Sequence, residues 1–181
     1  MLVNMNSAML PPLKISSWSI KPISYLIEKI LDTQQNPLIL VDGVGGSGKT
    51  TFATQLALLL DANLVHSDDV SWCADPVKWD GEMLTNIIIP WQNKTPIEHK
   101  PTGWVKENRS GCISVDENKP LIIEGTGASR KSLHKVATFS IWVDTPPEIA
   151  RERVIKRDLD NGENGGTLET VTEFAVWWDS L

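Results

Sequence analysis

Apolar positions along the chain fall into two patterns. Over 22–34, Ile23, Leu26, Ile27, Ile30 and Leu31 stand at i, i+3, i+4, i+7 and i+8, one stripe of an amphipathic helix that packs on a sheet. Pro22 suits the first helical position and Asn36-Pro37 breaks the helix. Four short runs then read differently: 38–41, 63–66, 121–123 and 139–143 are continuously apolar and bounded by turn residues. Buried parallel strands look like this, because both faces are covered. A helix is predicted over 49–60, with Phe52, Leu56, Leu59 and Leu60 inward. A second starts at Thr145, where Thr145-Pro146-Pro147-Glu148 combines a capping box with proline at the first helical position, and runs to about 159. A third covers 168–180. The middle, 68–118, is poorly patterned and holds one helix at 81–89. Residues 1–20 read as an irregular arm, and Gly- and Asn-rich 161–166 as a mobile loop. Strands alternating with helices predict a layered α/β fold.

A length of 181 residues fits one domain spanning 1–181, and 41% hydrophobic with 22% charged residues suits a globular chain with a single core. The net charge of −6 argues against nucleic-acid binding driven by overall charge. No apolar run approaches the ~20 residues that span a bilayer, so no membrane partner is expected. The N-terminus lacks the pattern of a signal peptide, and Cys73 and Cys112 form no CxxC pair. A cytoplasmic protein is the resulting expectation. The helix at 22–34 leaves room for a homodimer contact.

Gly43-Val44-Gly45-Gly46-Ser47-Gly48-Lys49-Thr50 matches G-x-x-x-x-G-K-[ST], entered by a predicted strand and left by a predicted helix. Glycines let the backbone turn tightly and aim its N–H groups at phosphate oxygens. The helix N-terminus adds about half a positive charge. Gly43, Gly45, Gly46, Ser47, Gly48, Lys49, Thr50 and Thr51 are therefore the candidate ATP-binding residues, with Lys49 on the β- and γ-phosphates and the Thr50 hydroxyl on Mg²⁺. The motif makes the expected fold a P-loop NTPase-type three-layer α/β fold, with a parallel sheet of about four to five strands.

A P-loop does not by itself separate kinases from other nucleotide-binding proteins. The strand at 63–66 ends at Ser67-Asp68-Asp69, and ligands sit at the carboxyl ends of strands in an open parallel sheet. A carboxylate there can accept the proton of an attacking hydroxyl. The strand at 121–123 ends at Glu124-Gly125, where a carboxylate can hold Mg²⁺ directly or through water. Arg153 and Arg157 share a helix face beside the Gly-rich loop, where guanidinium groups can neutralise a transferring phosphate. His66, at a strand end, reads as structural, and His134 as a surface residue.

On these residues the chain resembles the P-loop nucleoside kinases, uridine kinase-like proteins in particular. The matching pieces are 43–50, Asp68-Asp69, Leu121-Ile122-Ile123-Glu124-Gly125, and Trp142-Val143-Asp144-Thr145 through Arg157-Asp158. The resemblance implies ATP and Mg²⁺ as cofactors, Asp68 as base and as a neighbour of the metal with Thr50 and Glu124, and Lys49, Arg153 and Arg157 as charge-holding residues. The chain departs from it in the lid: 159–168 contains no basic residue. The acceptor is expected in 68–118, which offers Trp72, Trp79, Trp91, Trp104, His99, Lys100, Lys106 and Arg109, and 159–167 is expected to act as lid loop. The predicted function is an ATP- and Mg²⁺-dependent kinase for a small-molecule hydroxyl acceptor, most simply a nucleoside. The alternative is a nucleotide-binding regulatory or degenerate kinase module.

Overall fold

A computed structural model describes residues 20–73, 75 and 78–178. The expected arm at 1–20 falls almost wholly outside them. Four parallel strands form the main sheet: β1 (Leu38–Asp42), β2 (Asn63–His66), β5 (Leu121–Glu124) and β6 (Phe139–Trp142), in the order β2-β5-β1-β6. The fold is α/β with a four-stranded parallel sheet, the lower end of the expected range. β1 is buried along its whole length, and its residues alternate between two apolar cores. Leu38 and Leu40 face one with Leu121 and Ile123; Ile39 and Val41 face the other with Ile122. Continuous apolar runs are needed here because both faces are covered.

Helices α1 (Ile23–Leu31) and α2 (Lys49–Leu60) cover the second face through Ile30, Ala53 and Leu56. The α1 stripe is narrower than predicted, since Ile23 and Leu31 are exposed. Thr33 shortens the helix by donating its hydroxyl to Ile30 O at 2.6 Å. The α2 boundaries match the prediction, but Leu59 faces solvent and Ala53 takes an inward place.

The middle of the chain covers the first face. It holds α3 (Ser67–Ser71), α4 (Asp80–Met83), a π-helical turn (Leu84–Ile88), α5 (Ile89–Gln92), and α6 (Thr102–Lys106). β3 (Ile97–His99) and β4 (Ile113–Val115) pair antiparallel around α6. The helix expected at 81–89 is thus part of a longer rod with a π turn in it. Pro90 explains the turn: it has no N–H for a normal helical bond, and a π bulge absorbs the gap. Met83, Ile87, Ile88 and Trp91 on this rod are buried. The short α7 (Lys131–His134) follows β5.

Helix α8 (Pro147–Asn161) packs against α9 (Leu168–Trp178). The predicted capping box does not form. The helix starts at Pro147 with no side-chain cap, and the Thr145 hydroxyl instead donates to Ser47 O at 2.9 Å. The bond ties the β6–α8 connection to the glycine-rich loop.

Candidate active site

The glycine-rich loop leaves β1 in backbone that only glycine adopts easily. Gly46 and Gly48 have φ of 75° and 91°. A side chain on Gly46 would collide with the Ala150 carbonyl oxygen, so α8 packs directly on the loop. Gly48 caps α2 without any side-chain acceptor, leaving the first-turn N–H groups facing the loop's concavity. Ser47 Oγ is buried there and has no hydrogen-bond partner among the described residues. A buried hydroxyl without a partner costs stability until a ligand supplies one. Lys49 Nζ reaches Val44 O at 3.4 Å, a weak contact that a phosphate could replace. Gly43, Gly45 and Thr51 complete the stretch, with Thr51 exposed on α2.

Asp42 was not singled out from the sequence, yet it organises the loop. Its buried carboxylate accepts the N–H of Gly43 at 2.7 Å and of Gly127 at 2.9 Å on Oδ1, and of Ser129 at 2.8 Å on Oδ2. It thereby binds the P-loop to the loop after β5. The only signal was an acidic residue closing an otherwise apolar strand.

Glu124 ends β5 opposite His66 in the parallel register and is only 3% exposed. The Thr50 hydroxyl stands 3.3 Å and 3.2 Å from its two oxygens, and His66 Nδ1 lies 2.5 Å from Oε1. The hydrogen bond to Glu124 raises the His66 pKa, burial opposes it, and the charges of Glu124, Asp69 and Asp68 add to the rise. Thr50 and Glu124 form an all-oxygen pair of the kind a hard cation such as Mg²⁺ accepts.

Asp68 stands in the first turn of α3, directly after β2. Gly125 has φ of 138°, and a side chain on it would strike Ser67 Oγ, so α3 rests against the end of β5. Asp68 is exposed, yet the protein around its carboxyl withdraws enough water to push its pKa up. The Lys49 ammonium works against the rise, Glu124 adds to it, and His66 and Arg157 oppose it. Lys49, Glu124, His66 and Arg157 are therefore all within electrostatic reach of Asp68.

The two α8 arginines differ. Arg153 Nη1 donates to Gly46 O at 3.4 Å, at the edge of the P-loop. Arg157 is engaged by its own neighbour on α8. Its Nε and Nη2 grip Asp158 Oδ1 at 2.8 Å and 2.7 Å, and Asn164 Nδ2 holds Asp158 Oδ2 at 2.8 Å. Asp158 is wholly buried. The expected loop at 159–167 is shortened, since 159–161 continue α8, and its remainder at 162–167 is fastened to the helix through one carboxylate.

Among the acceptor candidates, Trp79, Trp91 and Trp104 are core residues. Trp91 Nε1 donates to Lys119 O and Trp104 Nε1 to Asp69 O. His99 Nε2 is 2.9 Å from Glu82 Oε1, which also accepts from Thr102 N and its hydroxyl. Lys100 and Lys106 are exposed. Trp72, 41% exposed, is the tryptophan of this group with an open face. Arg109 lies over the rings of Trp72 and Trp104, with its carbon 5.2 Å and 3.8 Å from their centroids, and Nη2 is 3.3 Å from Asp69 Oδ1.

A family model described as an AAA domain matches residues 39–170. The chain belongs to this family. Over 153 residues it is 25% identical to a probable thymidylate kinase of Metallosphaera sedula, covering 75% of this chain and 76% of that one. Over 98 residues it is 32% identical to a uridine kinase of Enterobacter sp. (strain 638), covering 53% of this chain. The chain spans less than half of that relative's length, 45%. Its fold is similar to the solved structure of a possible uridine kinase from Bacillus stearothermophilus, with a TM-score of 0.51 at 17% identity, over 87% of this chain and 91% of that one. The P-loop kinase resemblance of the sequence thus extends to relatives and to fold, and the relatives differ in the acceptor their names state. No helix among the described residues is long and apolar enough to cross a membrane.

Proposed function

We propose that this AAA-domain family member is an ATP- and Mg²⁺-dependent kinase that phosphorylates a hydroxyl of an uncharged small molecule, a nucleoside in the first instance. The observation that carries the reading is the meeting of Thr50 of the P-loop with Glu124 at the end of β5, in register with the end of β2, from which α3 carries Asp68. Bound ATP with Mg²⁺ would supply the γ-phosphoryl group and neutralise part of its charge. The 43–48 loop and Lys49 would hold the phosphates, and Thr50 with Glu124 the metal, to which Asp68 would add a contact through water. Asp68 would take the proton of the acceptor hydroxyl as its oxygen bonds to phosphorus and the bond to the bridging oxygen breaks. A carboxylate whose pKa is raised is a stronger base than an ordinary one. Arg153 and Arg157 would offset charge on the phosphoryl oxygens.

An uncharged acceptor is favoured over a nucleotide by two arginines already paired with carboxylates. Arg109 is turned onto Asp69 and Arg130 Nη1 onto Asp80 at 3.3 Å. A phosphorylated acceptor would have to pull one of them from its carboxylate.

The test is ADP release from Mg²⁺-ATP across nucleosides, nucleoside monophosphates and small sugars, with Lys49→Ala as the blank. Stimulation by nucleosides or sugars and silence with monophosphates is expected. Stimulation by monophosphates alone would overturn the uncharged acceptor. ATP binding with flat ADP release throughout would instead favour the nucleotide-binding module, for which the engagement of Arg157 by Asp158 is the supporting observation.

A further inference from the structure

Glu124 has two neighbours that determine where its carboxylate points. One is Thr50, whose hydroxyl is nearly equidistant from both oxygens. The other is His66, which the parallel register of β2 and β5 sets directly across the sheet. Its Nδ1 lies 2.5 Å from Oε1, and its ring is a little more than one-third exposed beyond that contact. An ionised carboxylate only accepts, so Nδ1 carries the proton of this bond. Glutamate has three side-chain torsions, and a strand end leaves it several rotamers. A bond to Oε1, from a ring on the adjacent strand, selects the rotamer that sets both carboxylate oxygens against the Thr50 hydroxyl.

We infer that His66 is a positioning residue for Glu124, and that its Nδ1–H sets how strongly the site couples divalent cation to nucleotide. The inference rests on the reading of Glu124 as a metal-holding residue. Groups that orient a metal-binding side chain change metal affinity by about ten- to a hundredfold when removed. The sequence gives no hint of this role, because a strand-end histidine reads as structural until the register is known.

The experiment compares ATP affinity in Mg²⁺ with ATP affinity in EDTA, by calorimetry on the full chain. The ratio of the two measures the coupling of metal to nucleotide and needs no turnover. His66→Ala is expected to cut the ratio at least tenfold and to leave the EDTA affinity unchanged. His66→Asn places an amide N–H near the position of Nδ1 and is expected to stay within about threefold of the native ratio. Glu124→Gln shows whether the carboxylate holds metal at all and is expected to abolish the coupling. Melting curves confirm that each variant folds. A native ratio in His66→Ala, with Glu124→Gln impaired, would overturn the inference and leave the metal site standing. A His66→Asn ratio as low as that of His66→Ala would also overturn it, because the donor would then not be what matters. A Glu124→Gln ratio equal to the native one would overturn the metal reading, and the role of His66 with it.

Discussion

The packing of α8 on the P-loop can be measured with two alanine substitutions. Gly46 and Gly48 both have positive φ, 75° and 91°. Placing alanine in left-handed backbone costs about 1–2 kcal/mol at either position. Their surroundings differ. A side chain at Gly48 meets nothing within 4 Å. A side chain at Gly46 collides with the Ala150 carbonyl oxygen and would lie 2.9 Å from the Ala150 carbonyl carbon and 3.0 Å from Val154 Cγ2. The colliding atom is backbone in the first turn of a helix and cannot rotate away. Overpacking of this kind adds about 1–3 kcal/mol. The expected costs are thus about 1–2 kcal/mol for Gly48→Ala and about 2–5 kcal/mol for Gly46→Ala. Urea unfolding of the two variants, extrapolated to water, measures the difference. Gly46→Ala should also weaken ATP binding more, because the loop must swing off α8 and take Gly46 O from Arg153. If Gly46→Ala costs no more than Gly48→Ala, the loop and α8 are not in the contact described, and the steric reasoning fails.

Asp68→Asn should abolish acceptor-stimulated ADP release while raising the melting temperature at pH 7.5. Partial desolvation of this exposed side chain holds its folded pKa above the unfolded value, so ionising it costs a little stability, reduced by solvent screening. The folded state binds the extra proton only between those two values, so the gain of the variant should shrink as pH falls and vanish below the ordinary aspartate range. A constant gain at all pH values would refute the raised pKa. Asp42→Asn leaves one carbonyl oxygen for three backbone N–H groups and turns an amide toward one of them. It should cost about 2–4 kcal/mol in urea unfolding, and an undiminished stability would show that Asp42 does not organise the loop.

The parts of the fold that were legible in the sequence are those where one constraint acts alone. β1, β2 and α2 lie where apolar runs and the P-loop placed them, because strands covered on both faces leave no ambiguity of pattern. Glu124 closes β5 and Asp68 follows β2 in α3, at the strand ends that the apolar runs marked. The hairpin of β3 and β4 was not, since three-residue strands separated by a helix carry no usable period. Thr145 misled because Thr-Pro-Pro-Glu satisfies a cap by pattern, while the hydroxyl found a better acceptor, Ser47 O, in a loop almost a hundred residues away. There a nonlocal hydrogen bond prevailed over a local preference.

The bonds of Asp42 also bear on the order in which the molecule is made. The conformation of residues 43–48 depends on Gly127 and Ser129, and on Thr145, so the loop cannot take its final form from the segment that encodes it. Contacts between residues so far apart in the chain close slowly and late. Nucleotide affinity should therefore appear at the end of refolding, after β5 and β6 have docked on β1, and a growing chain should acquire it only once residue 145 has been released for folding.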